Sequence, residues 1–460
     1  MLRLCRRGGP SSFGLLVFGA GLVCSPVLAQ ASGGAPVAPS FDVKVARARI
    51  DGVLDRAYPH LDALYKDIHA HPEVAFQEIR TAALLGSEMR KLGFSVTEHV
   101  GKIGVVAIYR NGAGPTVLVR TELDALPMEE KTGLPYASRA QQTIDGRLTY
   151  VAHSCGHDAH MAWWVGTAEA LLAMKDQWHG TLLFIGQPAE EALGGAKAML
   201  ADGLFRRWPK PDYGFAAHVG PLPVGTVIVK EAAFTSAADE LDITFHGQGA
   251  HGSMPDKSID PISMGAHFVS DVQTVISREK APGAFGVITV GAFQAGSVDN
   301  IIPDHADLKL TLRSQDSTTR QLLLDGVDRT ARAVAEMARA PVPTIDRPVG
   351  VGAVQNDISL TDRAAGVMTA AFGTDAMFVT AYVPAAEASE DFSEFIAAGI
   401  PSVFFGIGGD DPRMISEYRA AGKPIPVNHS PYFAPVPEGT IKRGAETLSL
   451  AALMALKGKQ

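Results

Sequence analysis

Apolar residues recur at helical spacing where the folded region begins. Val53, Leu54, Tyr58, Leu61, Leu64, Tyr65 and Ile68 fall on one face, and a second stripe through Ala82, Leu85, Met89 and Leu92 stops at Gly93. Both patterns predict helices. Short apolar runs follow at residues 104–109, 116–119, 181–185, 213–217 and 402–406, separated by longer mixed segments. That alternation predicts an α/β fold with a layered, mixed sheet.

The period changes near Ala237. Leu241, Ile243 and Phe245 alternate with Asp242, Thr244 and His246, and Leu308, Leu310 and Leu312 alternate with Lys309, Thr311 and Arg313. Strict alternation marks strands with one buried face. Helical stretches at 261–277 and 318–338 complete a β-α-β-β-α order. Residues 236–348 are therefore expected to form an inserted, ferredoxin-like α/β sandwich, a lid or dimerisation domain dividing a catalytic domain into 42–235 and 349–460. Its open sheet edge is the expected contact of a homodimer.

Candidate chemistry sits where the apolar runs end. The run at 117–119 leads to Glu122 and Asp124, the run at 182–185 to Glu190 and Glu191, and the run at 215–217 to His218. Ligand sites in open α/β sheets collect beyond the carboxyl ends of strands. The densest constellation, His153-Ser-Cys155-Gly-His157-Asp158-Ala-His160, holds a thiol, three imidazoles and a carboxylate. A thiolate and a neutral imidazole two residues apart can grip one divalent metal site. Together these features point to a metal-dependent hydrolase.

With 460 residues, 46% hydrophobic and 20% charged, the chain can bury a large core and is expected to form more than one domain. Arg3, Arg6 and Arg7 precede an apolar stretch at 13–24, and Val27-Leu28-Ala29 offers a cleavage site. The reading is a signal peptide at 1–29, a flexible leader at 30–41 and a periplasmic or secreted protein. The apolar stretch is shorter than the ~20 residues of a spanning helix, so no stable membrane anchor is expected. Removing three Arg and no acid takes the formal charge from −8 to −11, which argues against nucleic acid as a partner. Cys5 and Cys24 fall in the signal, leaving Cys155 alone in the mature chain without a disulfide partner. A bound metal would protect that thiol outside the cytoplasm.

Seven segments in register resemble one family, the M20-type metallo-aminoacylases and carboxypeptidases that include hippurate hydrolases and the hydrolases of auxin–amino acid conjugates. They are His69-Ala-His71-Pro-Glu73 with Glu78, Asp124-Ala-Leu-Pro127, Cys155-Gly-His-Asp-Ala-His160, Gln187-Pro-Ala-Glu-Glu191, Gly249-Ala-His-Gly-Ser-Met-Pro255, Ser389-Glu-Asp-Phe392 and Asn428-His-Ser-Pro431.

The resemblance implies that Cys155, His157, Glu191, His218 and His429 hold two divalent ions, with Cys155 bridging. Zinc or manganese is expected, and cobalt or nickel can use the same ligands. Glu190 is implied as general base, His251 as an oxyanion donor reaching into the partner subunit of a homodimer, and Asn300 and Arg313 as binders of the substrate carboxylate. Asp124 would orient a metal-binding group. The family commonly has Asp where this chain has Glu122. Asp158 and His160 are expected to start and support the next helix, while His69, His71 and the 389–391 segment read as helix caps or dipole compensation. The expected activity is hydrolysis of N-acyl amino acids. A metallocarboxypeptidase or dipeptidase acting on short peptides is the alternative. A non-catalytic metal or solute binder is the reading from another class, and it would have no use for Glu190 beside a ligand.

Overall fold

Asp42 opens the first helix, Val43–Ala70, by accepting a hydrogen bond from the Val45 amide at 3.0 Å, the usual service of an N-cap carboxylate. A computed structural model describes residues 36–457, and the expected signal peptide lies outside them. Within the expected leader, Val37 is docked through its amide to the Asp362 carbonyl at 3.2 Å. The first helix buries Ile50, Leu54, Leu61, Leu64 and Ile68. A second helix, Ile79–Lys91, ends before Gly93.

The architecture is α/β. One mixed sheet of eight strands runs in the order Ser95–Val100, Gly104–Asn111, Gly180–Gln187, Thr116–Glu122, Tyr213–Pro223, Ser402–Asp410, Val227–Lys230 and Ala376–Val379. The four strands from Gly180–Gln187 to Ser402–Asp410 are mutually parallel, so their carboxyl ends share one side. Helices His157–Ala173 and Pro437–Leu456 pack with the first helix into the main core. Both are buried along most of their length. A helix without a solvent face carries no amphipathic stripe, and this one leaves no periodic trace in the sequence.

A second, four-stranded antiparallel sheet has the order Gly286–Ala295, His305–Ser314, Ala237–His246 and Thr344–Val351. Leu241 pairs with Leu310 and Ile243 with Leu308, turning both alternating sets towards helices Pro261–Asp271 and Ser317–Met337. The first of these helices stops six residues before the expected Ser277, and a separate π turn, Val275–Glu279, follows. The strand Thr344–Val351 has no counterpart in the sequence reading, which ended the inserted segment at residue 348. It is an edge strand, and Pro348 falls at a register shift between the Glu240 and Asp242 pairings. Edges and bulges are where a strand tolerates proline.

The chain leaves and re-enters the large layer side by side. Ala232 and Ala233 pair with Asn356 and Gln355, and Ala238 pairs with Val351. Among the described residues no helix is long and apolar enough to cross a membrane.

Candidate active site

The carboxyl ends of the parallel strands carry most of the polar residues singled out above. Asp124 follows Thr116–Glu122, Glu190 and Glu191 follow Gly180–Gln187, and His218 lies on Tyr213–Pro223, in register with Gly406 of Ser402–Asp410. Helix His157–Ala173 starts at the same end. Gly156 precedes it with φ 91°, and a Cβ there would lie 2.4 Å from Val219 Cγ1. Only glycine takes both that backbone and that contact, and the resulting turn puts Cys155 and His157 beside one space.

Two further turns close the site. Asn428 donates to the carbonyls of Cys155 and Val219 at 3.0 and 3.1 Å, and the His429 amide reaches the Ser154 carbonyl at 2.8 Å. Asn428 belongs to a recognised motif but drew no role from sequence. His429 has φ 68°, and Ala189 (51°) and Leu193 (49°) flank the paired glutamates. Non-glycine residues held there cost of order 1–3 kcal/mol each, and such strain gathers at functional sites.

The donor atoms are presented in the forms a cation needs. His157 Nδ1 donates to the Asp124 carbonyl at 2.8 Å, which leaves the lone pair on Nε2. His218 Nδ1 donates to the Val219 carbonyl at 2.7 Å, and its Nε2 lies 3.3 Å from Cys155 Sγ. Glu191 Oε2 is 3.4 Å from His429 Nε2, and Glu191 Oε1 is 4.0 Å from His157 Nε2. Asp124 also accepts the Glu191 amide at 2.9 Å, so one carboxyl residue fixes two candidate ligands. Two donor sets, Cys155/His157/His218 and Cys155/Glu191/His429, share the thiol and span less than 4.8 Å each. Donors on one tetrahedral ion stand ~3.5 Å apart. His157 Nε2 and Glu191 Oε1 are buried without any hydrogen-bond partner, a costly state that a bound cation relieves. The residues fit a pair of divalent ions with a shared thiolate.

The electrostatics carry the same signature. Burial, reinforced by Glu390, Glu191 and Asp391, pushes the Glu190 carboxyl well above its ordinary range. Burial opposes a charged His157, but the hydrogen bond to Asp124 and the charges of Glu122 and Glu191 outweigh it and raise its pKa to about 10. Burial, with His160 nearby, lowers His218 to about 3. Burial and the two glutamates hold the Cys155 thiol protonated. The carboxylates make the potential at His157 negative. A divalent cation would occupy that negative potential.

A second buried cluster adjoins it. Arg120, fully enclosed, donates to Gln187 at 2.9 Å, to Glu390 at 2.7 and 3.1 Å, to Asp391 at 3.1 Å, and to Glu122. Sequence reasoning missed Arg120, which ends an apolar run where nothing local signals two distant acids, Glu390 and Asp391. Glu122, left without a role by sequence, joins Arg120 to His160, whose Nδ1 lies 2.9 Å from it. His160 Nε2 accepts the Val219 amide at 3.0 Å, so it supports the His218 strand as well as its own helix. Asp391 does accept the Ala196 amide at the start of helix Gly195–Ala201, yet the capping expectation for 389–391 omits its main partner, Arg120.

His69 does stand in the last turn of the first helix, and its ring does more than offset the helix dipole. The ring is buried between Asp158, 2.6 Å away, and Glu130, 3.1 Å away. Burial works against its charge, and these two bonds prevail, raising its pKa to about 10. His71 does cap, donating to the Asp67 carbonyl at 2.7 Å.

The three residues expected from the second sheet are elsewhere. Neither His251, Asn300 nor Arg313 lines the cavity formed by Cys155, Glu190, Glu191, His218 and His429. Exposed His251 accepts the Ser253 hydroxyl and amide on Nδ1 at 2.8 and 3.1 Å, which puts its proton on Nε2. The Asn300 carbonyl meets the Gly252 amide next to it at 2.8 Å. Arg313 donates within its own strand, to Thr311 Oγ1 and the Leu312 carbonyl.

Comparison with known proteins locates this arrangement. Residues 118–450 match peptidase family M20/M25/M40. Over 314 residues the chain is 35% identical to the hippurate hydrolase of Campylobacter jejuni, covering 66% of this chain and 77% of that one. Over 393 residues it is 30% identical to thermostable carboxypeptidase 1 of Saccharolobus solfataricus, covering 84% and 93%. A dinuclear metal binding peptidase of the M20 family from Bacillus subtilis superposes with a TM-score of 0.69 at 26% identity, covering 88% of this chain and 99% of that one.

Proposed function

Because the chain belongs to peptidase family M20/M25/M40 and is a hydrolase of that family, we propose that it is an exported, two-metal amidohydrolase that cleaves N-acyl amino acids. The observation that carries the reading is the pairing of Glu190 and Glu191. Both glutamates lie near His157 Nε2, Glu190 at 3.8 Å and Glu191 at 4.0 Å, but only Glu191 also meets His429, at 3.4 Å, while Glu190 faces the buried acids Glu390 and Asp391 and has a raised pKa. A general base needs that separation of environments.

Cys155, His157, Glu191, His218 and His429 would hold the ions, whose charge polarises a carbonyl and lowers the pKa of water. Asp124 keeps His157 and the Glu191 backbone in place. The Glu190 carboxylate takes the proton of the attacking water and delivers it to the departing amine nitrogen. His251 carries its proton on the exposed Nε2, the form an oxyanion donor requires. It lies outside the cavity of its own chain, so the reading calls on His251 of the partner subunit and hence on a homodimer. Export rests on the sequence of residues 1–29 alone.

The test is amino acid release by the purified mature protein from N-acyl amino acids and matched dipeptides, with and without a chelator. Chelator-sensitive cleavage of the acyl substrates is expected. Turnover of dipeptides alone would favour a carboxypeptidase, the reading supported by the broad match to the Saccharolobus enzyme.

A further inference from the structure

We propose that Glu78 is a positioning residue for the paired glutamates: its carboxyl and that of Asp124 clamp the backbone on the two sides of Glu190. This rests on the reading of Glu190 as general base and adds the part that aims it.

Glu78 stands at the N-cap of helix Ile79–Lys91, where a carboxylate ordinarily serves its own helix. Its side chain makes no such capping bond. Glu73 takes over from the preceding loop, accepting the Thr81 amide at 2.8 Å and the Arg80 amide at 3.1 Å. Glu78 is thereby released to full burial, and its Oε1 accepts the Ala189 amide at 2.7 Å. Asp124 Oδ2 accepts the Glu191 amide at 2.9 Å. The two carboxyls grip residues 189 and 191, and the residue between them is Glu190.

The turn needs a grip from outside. Ala189 and Leu193 hold left-handed backbone, at φ 51° and 49°. A Cβ on Gly195 would lie 1.5 Å from the Pro188 carbonyl oxygen, so the chain folds tightly back after the strand. The internal bonds run from the Leu193 amide to the Glu190 carbonyl at 2.7 Å, and from the Gly194 and Gly195 amides to the Ala189 carbonyl at 3.3 and 3.2 Å. They close the turn and leave the amides of 189 and 191 to Glu78 and Asp124. Without those acceptors two donors would be stranded, and a strained turn persists only while its surroundings hold it.

The same loop braces the Asp124 side. The Glu73 carbonyl accepts the Ala125 amide at 2.8 Å, and Val74 pairs with Ala125 in a parallel β-bridge. Residues 73–78 therefore tie the strand end that carries Asp124 to the turn that carries Glu190. Burial and the charge of Asp124 raise the Glu78 pKa to about 8. At neutral pH its carboxyl is then the neutral acid, which glutamine imitates in shape and charge.

The experiment sets Glu78→Gln and Glu78→Ala beside the parent, each loaded with zinc or manganese. Glu78→Gln keeps an acceptor for the Ala189 amide, and Glu78→Ala removes it. On an N-acyl amino acid that the parent cleaves, Glu78→Ala should lose kcat about a hundredfold, the scale of a group displaced by about an ångström. Its KM and metal content should stay within about twofold of the parent, since no donor atom is altered. Glu78→Gln should recover kcat to within about threefold of the parent. Hydrogen–deuterium exchange over residues 187–195 gives a readout independent of turnover. It should quicken about tenfold in Glu78→Ala and return to the parent rate in Glu78→Gln.

Unchanged exchange in Glu78→Ala overturns the clamp. So does metal lost in step with kcat, or Glu78→Gln as slow as Glu78→Ala. Should Glu78→Ala fail to fold, Glu78→Asp withdraws the acceptor by one methylene and should still quicken exchange and lower kcat about tenfold. Parent-like exchange and kcat in Glu78→Asp overturn the clamp equally. If the parent hydrolyses no amide while exchange follows the expected order, the clamp stands and the hydrolase reading falls.

Discussion

Two buried polar clusters sit side by side at the carboxyl end of the large sheet, and they solve the same problem differently. Around Arg120, three carboxylates and Gln187 are satisfied by a cation the chain itself supplies. Around Cys155, three imidazoles, a thiol and Glu191 converge, yet His157 Nε2 and Glu191 Oε1 have no partner. Buried acids need a positive charge in either case. The first cluster carries that charge in covalent form and serves as scaffold. The second leaves room for one that comes from solution, and so can do chemistry. Glu190 belongs to both fields: Glu390 and Asp391 raise its pKa from one side, Glu191 from the other.

The contrast can be broken at several points. Glu190→Gln should lower kcat by about a thousandfold, the scale of general-base catalysis, while metal content measured by atomic emission stays unchanged. Loss of metal together with activity would make Glu190 a ligand instead. Arg120→Met strips the scaffold of its cation and should cost about 3–5 kcal/mol in denaturant unfolding. An unchanged unfolding midpoint would show that the acids are held by something else. Adding zinc or manganese at a hundred times its dissociation constant should stabilise the unaltered protein by about 2.7 kcal/mol. In His157→Ala that gain should largely disappear, and an equal gain would sink its assignment as a ligand.

The smallest effect concerns His69, which bridges Asp158 and Glu130. Its folded-state pKa of about 10 lies above the ordinary 6.5. Its contribution to stability is therefore complete below pH 6.5 and is lost as the pH rises through 10. Unfolding midpoints across that window should fall less steeply in His69→Gln than in the parent.

Much of this contrast was legible in sequence on one side and hidden on the other. Most side chains of the Cys155 cluster announce themselves, because Glu191 and His218 follow apolar runs and Cys155 and His157 stand in a dense motif of His, Cys and Asp, while His429 was supplied by the family resemblance alone. Arg120 does not, since apart from Glu122 its partners lie at positions 187, 390 and 391 and only the fold unites them. For His69 the helix-end role was legible and its place in the last turn fits it, but its partners Asp158 and Glu130 are brought together only by the fold. Alternation exposed Ala237–His246 and His305–Ser314, but the edge strand Thr344–Val351, with polar residues and Pro348 in it, carries no clean alternation.

The side-by-side crossing of the chain has one more consequence. Ala238 and Val351 are β partners, so the inserted segment begins and ends about 5 Å apart. For the large layer, everything between them is equivalent to a closed loop. An unstructured loop of that length would exact a closure entropy that grows with the logarithm of its length. Here the second sheet holds its own ends together and removes most of that cost. The small layer in this sense closes on itself, so its length adds little entropic burden to the sheet that carries the donor cluster.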